Sequence, residues 1–143
     1  MIFAVFATLC AGLFSGAAVY ISVVEHPARL ACGPAIALTE FRPSYHRAAI
    51  MQVFLAVVGC AAGIVGWLQN GNGWVLAGAL LLGSVVPFTL LVIWGTNKRL
   101  LDTTLLPETP EATLLLSRWG CLHAVRSAVS TLAFVILLSA VAR

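Results

Sequence analysis

Four short stretches hold almost all of the polar chemistry of this chain: VEHPARL at 24–30, SYHRA at 44–48, TNKRL at 96–100 and RWGCLHAVR at 118–126. In the last, Trp119, His123 and Arg126 stand at i, i+4 and i+7, on one helical stripe that Ser130 continues. A neutral imidazole is a general base suited to ordinary pH, and a guanidinium three residues on can hold the oxyanion that proton removal leaves behind. His123 is therefore the expected base and Arg126 the expected anion holder, with Glu25 as the carboxylate partner of Arg126 and His46 as a further imidazole at the same site. Glu25 and His26 are adjacent and point about 100° apart on a helix, so they are alternatives for the interior rather than a pair. Tyr45, Gln52 on the same face seven residues later, Asn97 and Trp119 supply the expected substrate-binding surface. Glu25, His46 and His123 also make two imidazoles and a carboxylate, the set that non-haem iron oxygenases use, and a histidine pair can serve as axial haem ligands. No HExxH or similar spacing is present, so no cofactor is firmly implied; a non-haem metal or a haem remain the alternatives.

These residues need a scaffold, and composition dictates which. Of 143 residues 61% are hydrophobic and only 9% charged, and the mean hydropathy is +1.02. A soluble domain carries about a quarter charged residues. A hydrocarbon core of about 30 Å needs about 20 apolar residues per helix. The sequence supplies four such runs, Ile2 to Val24, Ala48 to Leu68, Trp74 to Gly95 and Trp119 to Ala142. Lipid offers no partner to backbone N–H and C=O groups, and the runs are too long for barrel strands. The expected fold is all-α, an integral membrane four-helix antiparallel bundle forming a single domain over residues 1–143. The first run has no basic flank and is too long for a cleaved leader, so it reads as the first helix. Cys10, Cys32, Cys60 and Cys121 show no CxxC or zinc spacing and read as packing residues. A net charge of +3 gives no reason to expect nucleic acid.

Local signals refine the bundle. Gly12 and Gly16, and Gly59 and Gly63 followed by Gly66, have the spacing that lets helices approach closely in lipid, within the bundle or across a homodimer. Pro43 reads as the start of the second helix, QNGNG at 69–73 as a tight turn, and Pro87 as a kink in the third helix. Thr109, Pro110 and Glu111 give the fourth helix an N-cap, a first-turn proline and an early carboxylate, so it begins before the membrane does. Arg126 then lies about 24 Å from the far end of its helix, inside the hydrocarbon, where a charge faces the bundle interior with a partner. Arg29, Lys98 and Arg99 read as side chains that snorkel to headgroups. The first and third connections carry the basic residues and the second carries none, which predicts a cytoplasmic polar mouth and both termini outside, with only Arg143 at the other end.

The succession EHPARL, YHRAAIMQ, PFT, TNKRL and RWGCLHAVRS resembles the family of small four-helix membrane proteins that includes fungal anthrone oxygenases and many bacterial members. The resemblance implies oxygenation of a reduced polycyclic phenol, an anthrone, to the quinone. It brings no set of catalytic residues, so the site rests on the bundle argument. The expectation is a membrane oxidoreductase acting on an apolar phenolic molecule drawn from the lipid bilayer, in the plasma (inner) membrane of a bacterium. The alternative outside enzymology is a small carrier, proton relay or accessory subunit using the same polar residues.

Overall fold

The computed structural model describes residues 1–142; Arg143, the lone charge expected at the far end, lies outside the described residues. Four helices are long and apolar enough to cross a membrane: α1 (Ile2–Ala31), α2 (Pro34–Asn70), α3 (Gly73–Leu101) and α4 (Pro110–Val141). The chain is an all-α integral membrane four-helix bundle, and no strand occurs among the described residues. α1 packs along α2 and α4, α3 packs along the same two, and the diagonal pairs barely meet. Close approaches fix the antiparallel sense. A Cβ on Gly66 would touch Ala4 while one on Gly59 would touch Cys10, and Ser15 bonds Thr131 while Ser22 bonds Ser127.

The ends follow local chemistry. Gly71 takes the left-handed conformation that closes α2, and the Asn72 side chain accepts from the Trp74 N–H to open α3, so the QNGNG turn is a helical hairpin. Thr109 caps α4 by accepting from the Ala112 N–H, with Pro110 in the first turn, as its sequence predicts. The second helix departs from expectation. It starts at Pro34, after Gly33 with φ of 88°, and runs through Pro43. Interior proline costs a helix about 3 kcal/mol, but here the extra turns bury Ala37, Leu38 and Phe41 at 0–1% exposure. Each fully buried large side chain returns about 1.5–3 kcal/mol, so packing outweighs the proline.

That packing makes a second core. One apolar cluster, including Phe14, Leu82 and Leu137, fills the middle of the bundle. The other gathers Leu38, Phe41, Ile93, Leu100, Leu105, Leu116 and Trp119 at the polar end. Arg42 ties the ends of α2 and α3 there, donating to the backbone carbonyls of Leu100 and Asp102.

Two π-helical turns interrupt the regular helices, Ile21–Glu25 in α1 and Thr89–Ile93 in α3. Each lies beside a proline. Pro27 has no N–H, and its ring crowds the carbonyl four residues back, so a wider turn just before it relieves both problems. In α3 the order differs: the helix breaks at Ser84, three residues before Pro87, and the π turn follows the proline. Both turns border the same cavity.

The tight crossings are Gly12, Gly59, Gly63, Gly66, Gly78, Gly83 and Gly120, where an added Cβ would lie 3.1 Å or less from a neighbour. Gly12 meets only the Phe134 ring edge, and Gly16 meets nothing within 4 Å. Gly16 therefore faces outward, against the expectation that it marks a crossing.

Candidate functional site

A cavity of about 210 Å³ opens among all four helices at the polar end, bordered by Ile21, Glu25 and Arg29 of α1, Phe41, Tyr45 and Gln52 of α2, Thr89, Leu90 and Trp94 of α3, and Trp119, His123 and Arg126 of α4. Its wall is mostly apolar, with a few convergent polar groups, as small-molecule sites usually are. Val53, Leu90 and Trp94 also border it while being 48%, 58% and 49% exposed on the outer surface. The cavity thus reaches the lipid-facing side between α2 and α3.

The α4 stripe holds as its spacing predicts. Trp119 stacks on His123 with ring centroids 4.7 Å apart, and His26 packs on the same indole at 5.0 Å. His123 is 1% exposed. Its Nδ1 lies 2.9 Å from the Ser22 hydroxyl, and its Nε2 is buried without a partner.

Arg126 departs from the sequence reading. One Nη donates to Gln52 Oε1 at 2.6 Å and the other to Thr89 Oγ1 at 3.4 Å. The guanidinium carbon lies 5.8 Å from the centre of the Phe14 ring. No carboxylate among the described residues is within ion-pair reach of it. Glu25 pairs instead with Arg29, one helical turn along α1. Arg29 does not snorkel: it is 5% exposed, held between Glu25 and Glu40 and lying over Phe41 and Trp119. The physical reason is that a buried arginine beside Glu25 competes for that carboxylate with the advantage of being on the same helix. Arg126 is left as a cation held only by neutral groups.

Tyr45, Gln52 and Trp119 border the cavity. Asn97 does not; it is 1% exposed behind them, donating to the Tyr45 hydroxyl and accepting from the Trp119 indole N–H, both at 2.9 Å. It therefore sets the angle of two walls. His46 is exposed, turned away from the cavity with its ring against Tyr45, because neighbouring helix positions diverge by about 100°. The expected convergence of His46 with His123 fails, and His26 takes the inward place. Accordingly Glu25, His46 and His123 form no shared ligand set, and no group of three or more His, Cys, Asp or Glu side chains among the described residues is arranged to hold a metal. The cavity presents one imidazole, not the pair of an axial haem set.

Serines supply what sequence reasoning missed. Ser22 bonds both His123 Nδ1 and Ser127, and Ser127 bonds the Ala18 and His123 carbonyls. A signal existed for Ser127, one turn past His123 on the same stripe, but a lone Ser22 in an apolar run carries none.

No curated protein matches the chain. No solved structure matches it either. A family model described as anthrone oxygenase matches residues 41–136, from Phe41 in α2 through His123 and Arg126 to the later part of α4. With more than half of its length matched, and with four apolar helices closing around a largely apolar cavity, this membrane protein belongs to the anthrone oxygenase family.

Proposed function

We propose that the protein is a membrane-embedded oxidoreductase that oxygenates an anthrone-like phenol taken from the bilayer. One observation carries this reading: Arg126, whose guanidinium has only neutral partners, and His123, whose buried Nε2 has none, both belong to the lining of the same apolar cavity. Gln52 Nε2 is also buried without a partner. A cavity wall that offers vacant donors on Arg126 and Gln52 and a vacant acceptor on His123 suits a flat molecule with an acidic C–H conjugated to a carbonyl oxygen. An uncompensated cation inside a membrane protein is costly, and an enolate or phenolate oxygen is the charge that relieves it.

The chemistry balances with dioxygen as the oxidant. His123 Nε2 removes one proton from the anthrone methylene, and the negative charge spreads to the carbonyl oxygen, where Arg126 and Gln52 stabilise it. The electron-rich anion passes one electron to dioxygen, and the two radicals join in a C–O bond, giving a hydroperoxide once the proton returns. Loss of the second methylene proton breaks the O–O bond, leaving the quinone carbonyl and a hydroxide that this proton converts to water. The sum is CH₂ plus O₂ giving C=O plus H₂O. Tyr45 and Trp119, locked by Asn97, provide flat surfaces for the rings. The basic residues at the cavity end support a cytoplasmic position for that end, with both termini outside a bacterial plasma membrane.

The test is His123→Gln, which keeps a hydrogen-bonding side chain but removes the base. The variant should melt close to the parent yet lose about 100-fold or more in oxygen-dependent turnover of anthrone, followed by quinone absorbance. Unchanged turnover in the folded variant removes His123 from the reaction.

A further inference from the structure

The proposed role of His123 requires its free nitrogen to be an acceptor, and the serines around it decide whether it is. A neutral imidazole carries its proton on one nitrogen, set by the hydrogen bond the other makes. Ser127 Oγ has one proton and lies 2.9 Å from the Ala18 carbonyl and 3.0 Å from the His123 carbonyl. Carbonyl oxygens only accept, so that proton is committed to them. Toward Ser22, 2.8 Å away, Ser127 Oγ must then accept, and Ser22 donates. The single Ser22 proton being used, its oxygen accepts from the other neighbour, His123 Nδ1 at 2.9 Å. The reverse assignment leaves the Ser127 oxygen without a proton for either carbonyl, so that lone pairs face each other at 2.9 and 3.0 Å.

We infer that Ser22 is a positioning residue that fixes His123 in the tautomer protonated on Nδ1, leaving the Nε2 lone pair as the acceptor on the cavity side of the relay. The backbone is shaped for this. Ser22 lies in the π-helical turn Ile21–Glu25, and π turns inside helices recur at functional positions. The direction of proton donation runs from His123 through Ser22 and Ser127 to the backbone, away from the substrate, so no proton from the relay competes for Nε2.

This inference rests on the base role proposed for His123, and the experiment separates the two. Protein labelled with ¹⁵N-histidine and reconstituted in lipid nanodiscs reports each ring nitrogen as protonated or not, the His123 signals being those that His123→Gln lacks. The parent should show Nδ1 protonated and Nε2 bare, Ser22→Ala should shift His123 toward the other tautomer, and Ser22→Thr, which keeps the hydroxyl, should restore the parent pattern. Turnover should follow, falling roughly tenfold or more in Ser22→Ala at little-changed KM and recovering in Ser22→Thr. A parent protonated on Nε2, or an unchanged tautomer in Ser22→Ala, overturns the inference. A shifted tautomer with unaltered turnover overturns instead the role of His123 as base.

Discussion

Arg126 is the residue at which the proposed function and stability part company. Had it been stapled to Glu25, removing it would strand a buried acid at a cost of roughly 3–5 kcal/mol. Its partners are Gln52 and Thr89, both neutral, so Arg126→Met removes an uncompensated charge and strands only an amide oxygen, worth about 1–3 kcal/mol. The variant should unfold within a few degrees of the parent, while anthrone turnover falls about 100-fold. A large loss of thermal stability together with intact turnover of the remaining folded protein would return Arg126 to a structural role. At this scale the sequence was half legible. The spacing of Trp119, His123 and Arg126 fixed their common face, because helical periodicity is local. The partners of Arg126 and Glu25 were not legible, since choosing among several nearby carboxylates and amides depends on tertiary distances that no spacing records.

The elements show the same division. Thr109 and Asn72 could be read as caps because a cap needs only its own neighbours. Pro43 could not be read as an interior residue, since what overrides it is the burial of Leu38 and Phe41 against residues from α3 and α4. The connection between α3 and α4 holds a small charge clip: Arg99 bridges Asp102 at 2.8 Å and Glu111 at 2.6 Å. The Thr104 N–H and hydroxyl, and then Arg99, hold the Asp102 carboxyl below its ordinary value of 3.8. A depressed acid adds stability above its unfolded pKa and loses it as the pH falls through the folded value. Asp102→Asn should therefore melt slightly below the parent near neutral pH. The difference should close as the pH is taken below about 3.8, and a gap that stays constant to about pH 2 would show that Asp102 acts through hydrogen bonding alone.

Over the whole molecule, the two apolar cores are joined by close helix crossings at glycines that leave no room for a side chain. A Cβ on Gly63 would lie 2.4 Å from Ala79 Cβ, whereas one on Gly16 would meet nothing within 4 Å. Gly63→Ala should cost about 1–3 kcal/mol in a denaturant titration in micelles, and Gly16→Ala should be neutral or gain up to about 1 kcal/mol from helix propensity. Equal effects would mean that the α2–α3 crossing is looser than these distances. The four-helix membrane fold was legible from hydropathy alone because the solvent imposes it; which glycines lie at crossings was not, since each helix has small residues on more than one side.

On the proposed function, the cavity edge formed by Val53, Leu90 and Trp94 makes the bilayer the solvent from which the substrate is drawn. The quantity the protein would then sense is the mole fraction of the proposed anthrone-like substrate among lipids, not its molarity in the tube. Diluting a fixed amount of substrate with more empty vesicle lipid, at constant protein, should lower the rate, and adding buffer at constant lipid should not. A rate that follows aqueous concentration instead would place entry at the polar mouth. On that reading kinetic constants for this protein are properties of the membrane as much as of the chain, and carry meaning only with the lipid load stated.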